Sequence, residues 1–510
     1  MATKSNELKI EDQLWAAADE LRGSMDASEY RNVVLGLIFL KYVSDSFEEK
    51  YQELLASEYP EDAEDKDQYM AKNIFWLPKA ARWEIINAAS KTPAIGDVID
   101  KAMTEIEREN SAIKGVLPKN YASPDLDKVR LGAVIDLISN IKVGNAESRK
   151  NDVLGRVYEF FLSKFASAEG KNGGEFYTPR SIVRTLVEML EPYKGRIYDP
   201  AAGSGGMFVS SEEFVLEHQG KIGDLSVYGQ ESNPTTWKLA KMNLAIRGID
   251  NDFGPHQGDT FTNDLHKGVR FDYIMANPPF NLKKWGGDQL REDARWAYGV
   301  PPENNANYAW IEHIVSKLAP DGTAGFVLAN GALSTSTREE YAIRKALLEA
   351  DKIDAIVSMP GQMFYSTQIP VSLWFIDNSK NSKNENDRRG KTLFIDARNL
   401  GFMADRTTKE FSAEDIAKIA DTYHAYKGTN DQEYVDIEGF SKAATLEEIA
   451  NNDYVLTPGR YVGLAEVEDD GEPFEEKMAR LTSELSSQFK ESAKLEDDIR
   501  QALGAIGYEI

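Results

Sequence analysis

The sequence predicts an α/β domain built on a parallel sheet, preceded by an α-helical N-terminal domain and followed by a C-terminal helical tail. Three observations predict it. From Arg196 onward, short apolar runs alternate with glycine turns and helix-periodic segments, the pattern of strands joined by crossover helices. Before that, residues 1–165 read as mostly helical. After an acidic run, apolar residues from Phe474 recur at steps of three and four. The divisions fall at 1–165, 166–465 and 466–510.

Composition narrows the function classes. At 510 residues and 42% apolar content, the chain is long enough for two or three domains with their own cores. It has no cysteine, which removes disulfides and thiolate metal sites, and its five histidines are scattered, so no metal is expected. The longest apolar run, Val33 to Leu40, is interrupted by Gly36 and fits a buried helix, not a membrane span. The N-terminus Met1-Ala2-Thr3-Lys4-Ser5-Asn6 lacks a signal-peptide core. A cytoplasmic protein with no membrane partner is expected. With 59 basic and 84 acidic residues the net charge is −25. A solitary DNA-binding protein carries a basic footprint. Any nucleic-acid role therefore requires a partner that supplies most phosphate contacts.

Within the N-terminal region, Leu14, Trp15, Ala18 and Leu21 sit at helical spacing. Tyr30 to Phe47 is a strongly apolar helical segment closed by Glu48-Glu49-Lys50. Lys79 to Ala89, Val129 to Ile141 and Val153 to Phe165 follow as helices, with a polar, acidic loop from Ser57 to Lys72. This region reads as a packing and interaction module. Next come Gly173-Gly174-Glu175-Phe176-Tyr177-Thr178-Pro179-Arg180 and a helix from Ile182 to Leu190. Thr178 before Pro179 fits an N-cap with proline in the first turn.

The α/β region opens with Ile197-Tyr198-Asp199-Pro200-Ala201-Ala202-Gly203-Ser204-Gly205-Gly206, a strand running through a glycine-rich turn into a helix. Leu225 to Gly229 is the next strand, ending at Gln230-Glu231, and Thr235 to Arg247 its following helix. Gly258 to Phe261 is a turn. Phe271 to Ala276 is a buried strand that ends in Asn277-Pro278-Pro279-Phe280. Asn307 to Leu318 and Arg338 to Glu349 are helices, while Gly322 to Ala329, Ile353 to Ser358 and Val371 to Ile376 are strands. The last two are joined by a short connection with Gly361 and are expected to pair as a hairpin at a sheet edge. Asn378 to Gly390 reads as a linker-like loop, Lys391 to Ala397 as a further strand, and Phe411 to Val462 as α-rich and irregular. Residues 466–476 hold seven acids. Beyond them, Phe474, Met478, Leu481, Leu485, Phe489, Leu495, Ile499 and Leu503 form one stripe, either folded back on its own domain or open to a partner.

Two stretches carry chemistry. The Gly203-Ser204-Gly205-Gly206 loop has the placement of a nucleotide-binding turn but neither the dinucleotide spacing nor a P-loop lysine. Its glycines let a ligand approach the backbone. Asp199 can accept from a ligand ammonium, Glu231 from two ribose hydroxyls, and Asp259 from an adenine amino group. Read structurally instead, these are a helix cap, a surface acid and a turn residue. As an ordered set they suit a cationic, amine-bearing nucleoside such as S-adenosylmethionine. The second stretch is a stiff corner, since each proline ends the ladder and holds the residue before it extended. The Asn277 side-chain oxygen and the Pro278 carbonyl can grip the hydrogens of an exocyclic amine, whose lone pair is otherwise delocalised into its ring. Phe280 can stack on the extracted base, an interaction worth roughly 1–3 kcal/mol. A base inside a duplex must flip out to reach such a corner. Without cysteine, the usual route to C5-cytosine methylation is excluded.

Together, Glu175-Phe176-Tyr177-Thr178-Pro179, Asp199 to Gly206 and Asn277-Pro278-Pro279-Phe280 resemble the modification subunits of type I restriction–modification systems, which are adenine-N6 DNA methyltransferases. The resemblance spans most of the chain. It implies a Rossmann-like S-adenosylmethionine-dependent methyltransferase core. In it, Glu175, Phe176, Tyr177, Thr178, Pro179 and Arg180 close over the cofactor. Asp199, Ala201, Gly203, Ser204, Gly205, Gly206, Glu231 and Asp259 bind it, and Asn277, Pro278, Pro279 and Phe280 take the target adenine. It further implies two modification subunits with one specificity subunit, optional restriction subunits, and double-stranded DNA as substrate. No inserted target-recognition domain is evident, in keeping with the acidity. Arg270, Lys283, Lys284 and Arg291 are the local candidates for phosphate contacts. An N4-cytosine DNA methyltransferase uses the same amide grip, though more often with serine first. A glutamine-directed protein methyltransferase shares Asn-Pro-Pro-aromatic, but usually ends it in tyrosine and lacks the long helical N-terminus.

Overall fold

The computed structural model describes residues 27–139, 153–169, 177–364, 369–382, 385–464 and 474–505, with a few positions between Trp15 and Leu21. The chain divides into two compact units, Met1–Gly463 and Leu464–Ile510. In the first, the long N-terminal helices are α1 (Ala27–Leu55), α2 (Ile95–Glu109), α3 (Lys128–Ser139) and α4 (Val153–Glu169). Helix α1 is apolar on nearly every side, and Val33, Leu35, Leu37, Phe39 and Leu40 are fully buried. That is the pattern of a helix inside a core rather than on its surface. Of the first helical segment, Ala18 and Leu21 are buried and Leu14 lies outside the described residues.

Helix α5 (Arg180–Leu190) leads into the α/β part. Its strands are β1 (Gly195–Asp199), β2 (Leu225–Gly229), β3 (Asn251–Asp252), β4 (Phe271–Ala276), β5 (Leu318–Ala329), β6 (Ile353–Ser358), β7 (Val371–Asp377) and β8 (Lys391–Asp396). A small separate ribbon pairs β9 (Phe402–Met403) with β10 (Lys409–Glu410), and β11 (Ser441–Thr445) closes the main sheet. The connecting helices are α6 (Gly206–Glu217), α7 (Pro234–Ile246), α8 (Asn307–Lys317), α9 (Arg338–Glu349) and α10 (Ala413–Lys427). The nine strands run in the order β11-β8-β6-β7-β5-β4-β1-β2-β3. β1 pairs in parallel with both β2 and β4. The chain therefore leaves β1 to one side, through β2 and β3, and returns on the other with β4. Such a reversal opens a crevice at the strands' carboxyl ends. Asp199 ends β1 and Asn277 follows β4, so the reversal brings the two candidate stretches together.

Several expectations are corrected. The β6–β7 pair is antiparallel, as its short connection requires, but it lies inside the sheet: β7 also pairs with β5 and β6 with β8. Every residue of both strands is buried accordingly. The stretch read as irregular after Phe411 contributes the edge strand β11. Lys79–Ala89 is not one helix: a 3₁₀ turn at Lys79–Ala81 and a helix at Trp83–Ala89 meet at Arg82, which is extended. The polar loop before Gly390 is not a loose linker, because Arg388 is 1% exposed and bound to Asp354, Asp377 and Glu385. Helix α5 begins at Arg180 with no side-chain cap, so Thr178 is not its N-cap. Helix α4 runs through the division expected at residue 165, and it packs, like α7, against α1.

Among the described residues, the second unit contains one helix, α11 (Phe474–Ala505). Met478, Leu481, Leu485, Phe489, Leu495 and Ile499 on it are all exposed. The side chain of Leu503 lies outside the described residues.

Candidate active site

The site is built where β1 and β4 end. From Asp199 the backbone turns through Ala201–Gly205 into α6. Gly205 precedes the helix with φ +79°, a left-handed conformation that an L side chain rarely adopts. A Cβ built on Gly206 meets no heavy atom within 4 Å, so the absence of a side chain leaves open space over the helix N-terminus. The turn is stitched to the end of β2: Gln230 N–H donates to the Asp199 carbonyl and Ala202 N–H to the Gln230 carbonyl, both at 2.9 Å. The fully buried Gln230 amide donates to the carbonyls of Gly258 and Asn263, tying in the next turn.

A pocket enclosing about 550 Å³ of empty space, its mouth included, lies over this turn. Tyr177, Thr178, Arg180, Asp199, Ala201, Gly203, Ser204, Gly206 and Asn277 line it together. Asp199 is 1% exposed and accepts from the Ala201 N–H at 2.9 Å. Burial, and then the neighbouring charge of Glu231, push its carboxyl up to about 8 against that one hydrogen bond. Glu231 stands beside the turn, accepting from Gly203 N–H at 3.1 Å and Asn233 N–H at 2.7 Å. Burial raises its pKa too, partly offset by those backbone donors.

Asp259 does not join the lining. Its Oδ1 takes the N–H groups of Phe261 and Thr262 and the Thr262 hydroxyl at 2.8–3.0 Å, which is the turn role. Pro179 is buried just ahead of α5. Glu175 and Phe176 lie outside the described residues.

The corner after β4 is held from several sides. The Asn277 amide Nδ2 donates to the Thr178 hydroxyl at 3.0 Å. Its Oδ1 is buried and has no hydrogen-bond partner, an unmet acceptor that a ligand donor would satisfy. Pro278 is buried, while Pro279 and Phe280 are half-buried. Phe280 meets Phe364 edge-on with centroids 5.9 Å apart. Immediately beyond, Asn281 adopts φ +54°. Its N–H donates to Asn307 Oδ1 at 2.9 Å, and Asn307 Nδ2 returns a bond to Asn281 Oδ1 at 3.0 Å. This reciprocal pair pins the corner to the first residue of α8. Farther along, Arg295 ties the following loop to the Asp259 turn, donating to the carbonyls of Thr260 and Phe261.

Of the expected phosphate-contact residues, Lys283 and Lys284 are exposed just past the corner, while Arg291 pairs with Glu303 at 2.8 Å. Arg270 is misplaced for the role. It precedes β4, a six-residue strand, and so stands roughly 20 Å from the corner at about 3.3 Å per residue.

The sequence reading missed the back wall. Asn243 on α7, Arg247 just past its end, and Glu159 and Leu162 on α4 also line the pocket. Asn243 Nδ2 supports the Ser204 carbonyl at 2.8 Å, and Arg247 spans Asn243 and Glu159. The available signal was a buried asparagine four residues before an arginine on an otherwise apolar helix face. The helical N-terminal region thus contributes directly to the pocket.

The family model described as N-6 DNA Methylase matches residues 149–470, and that of the HsdM N-terminal domain matches residues 10–138. The chain is 50% identical over 454 residues to the Type I restriction enzyme HindI methylase subunit of Haemophilus influenzae, covering 85% of this chain and 100% of the relative. It is 42% identical over 522 residues to the MjaIX methylase subunit of Methanocaldococcus jannaschii, covering 98% and 92%. The crystal structure of a type I restriction-modification methyltransferase subunit from Streptococcus thermophilus aligns with TM-score 0.75 at 25% identity, covering 89% of this chain and 99% of that one.

Proposed function

The chain belongs to the N-6 DNA methylase family, as a methylase subunit of the type I restriction–modification kind, and on that premise we propose that it methylates adenine N6 in double-stranded DNA, using S-adenosylmethionine. The target base is flipped out of the duplex. The DNA site is chosen by a separate specificity subunit, with two copies of this chain for each, and restriction subunits join optionally.

The observation that carries this reading is the buried, unpartnered Asn277 Oδ1 at the pocket, on an amide whose nitrogen is already held by Thr178. An exocyclic amine is the complementary donor. Accepting its hydrogen draws the nitrogen lone pair out of ring conjugation and aims it, which is catalysis by positioning and oriented dipoles. The cofactor, when bound, supplies an electrophilic methyl on a sulfonium. In this reading Asp199 takes the ligand's ammonium, the Gly203–Gly206 turn lets its body approach, and Glu231 accepts from ribose hydroxyls. The open space at Gly206 and the two acids fit a cationic nucleoside. Phe280, with Phe364 edge-on behind it, offers a stacking face to the extracted base. Transfer would form the N–C bond as the methyl–sulfur bond breaks, the sulfonium would leave as a neutral thioether, and the proton the amine sheds would pass to water from its hydrogen bond with Asn277 Oδ1. The net charge of −25 supports delegation of phosphate contacts to a partner.

The test supplies labelled S-adenosylmethionine with DNA, with and without the cognate specificity subunit, and identifies the modified nucleoside. N6-methyladenine is expected only with that subunit. N4-methylcytosine, or label in protein, would overturn the assignment.

A further inference from the structure

None of the β9–β10 ribbon's residues lines the pocket over the turn. Met403 lies opposite Lys409 and Phe402 opposite Glu410. Its second strand is tied at both ends to segments that border the site. Lys409 N–H donates to the Gln362 carbonyl at 2.8 Å, two residues before the Phe364 that meets Phe280. Phe411 N–H donates to Ser181 Oγ at 3.2 Å, three residues after Thr178. At the tip, Asp405 Oδ1 accepts from Thr407 N–H, Thr407 Oγ1 and Thr408 N–H at 2.7–3.0 Å, which commits that oxygen to the turn. Beside it Arg406 is exposed. Phe402 and Met403 are 51% and 47% exposed.

We propose that this ribbon is a DNA-contacting wedge. Phe402 and Met403 pack against the base stack beside the extracted nucleotide, and Arg406 meets the phosphate backbone. The inference rests on DNA being the substrate. Extracting a base leaves a hole in the stack, and apolar wedges such as phenylalanine and methionine are the side chains that fill or pry such steps. A two-stranded ribbon fits a duplex groove. An apolar pair would serve a protein partner equally well. The exposed arginine next to it favours a partner that is both stackable and anionic, on a chain whose net charge otherwise repels polyanions.

The experiment uses the full chain assembled with its specificity subunit, and a duplex oligonucleotide carrying the methylated site with 2-aminopurine at the target position. Phe402→Ala combined with Met403→Ala is expected to weaken DNA binding roughly tenfold and to lower the fluorescence gained on flipping, with the salt dependence unchanged. Arg406→Ala is expected to reduce the slope of log affinity against log salt by about one. Unaltered affinity, slope and fluorescence in both variants would overturn the proposal. So would impaired assembly with the specificity subunit while the complexes that do form bind DNA normally, which would assign the ribbon to a protein contact. Methylation by the wild-type complex is scored separately on the matching duplex with adenine at the target position. Failure of the methylation reading is thus distinguishable from failure of the wedge.

Discussion

The Asn277 side chain gives its amide hydrogen to the Thr178 hydroxyl at 3.0 Å, across 99 residues of chain, and keeps its oxygen buried and unpartnered. With the nitrogen on Thr178, the oxygen is the end that faces the pocket. An amide turned over would present a donor to a donor. Thr178, expected as a helix cap and a cofactor contact, is therefore also the residue that orients the Asn277 acceptor.

Two substitutions separate acceptor from orienter. Asn277→Ala should lower kcat by at least about 100-fold, the effect of removing one preorganised polar group, with cofactor affinity nearly unchanged. Thr178→Val keeps the shape but strands the amide nitrogen, at a cost of about 1–3 kcal/mol, and should lower kcat about tenfold, whereas Thr178→Ser retains most activity. Single-turnover kinetics and calorimetric cofactor titration measure both. Equal losses in the serine and valine variants would show that the hydroxyl does not orient the amide.

Cofactor binding should depend on pH through Asp199. Burial raises its pKa to about 8 in the free protein, so below that pH the carboxyl is neutral. A ligand ammonium stabilises the carboxylate and lowers the pKa in the complex. Binding then releases a proton below about pH 8, and affinity should fall by up to about tenfold per pH unit as pH drops. Above pH 8 the carboxylate is already formed and affinity should level off. Calorimetry between pH 6 and 9, in buffers of different ionisation enthalpy, counts the protons. Asp199→Asn should bind weakly and lose the dependence.

How far the sequence can be read depends on the range of the interactions involved. Strands such as Leu225–Gly229 and Phe271–Ala276 were legible to the residue, because apolar runs bounded by glycine or polar residues are local signals. The edge strand Ser441–Thr445 has little β propensity and forms because β8 offers it a ladder. The interior place of β7 is likewise set by its pairing with β5, more than forty residues earlier in the chain. At the site, Asp199, the glycine turn and Asn277 announce themselves by composition and spacing. Glu159, Asn243 and Arg247 act only through tertiary contact, and Asn281 and Asn307 only as a pair.

Arg388 should be a stability determinant remote from chemistry. Its guanidinium meets Asp354 at 3.1 Å, Asp377 at 2.9 Å and Glu385 at 2.6 Å, and Tyr423 donates to Asp354 at 2.8 Å. Arg388, Asp354 and Asp377 are at most 2% exposed. Removing the cation leaves two carboxylates buried side by side with Lys427 alone to neutralise Asp377, at 3.8 Å. Arg388→Met should cost about 3–5 kcal/mol in urea denaturation, with the cofactor affinity of the folded fraction unchanged. A variant as stable as wild type would mean that the acids take up protons or water at little cost.

The tail helix should matter to assembly more than to folding. Met478, Leu481, Leu485 and Phe489 fall at steps of three and four, and each is 43–66% exposed. An apolar stripe of this kind gains stability only against another surface. Leu481→Asp with Leu485→Asp introduces charge into that stripe while leaving helix-compatible residues in place. Binding to the specificity subunit should weaken by at least about tenfold, since burying each leucine is worth roughly 1.5–3 kcal/mol. The melting temperature of the isolated chain should move little. Sedimentation measures the first and calorimetry the second. A large drop in melting temperature with assembly intact would place the stripe against its own chain instead.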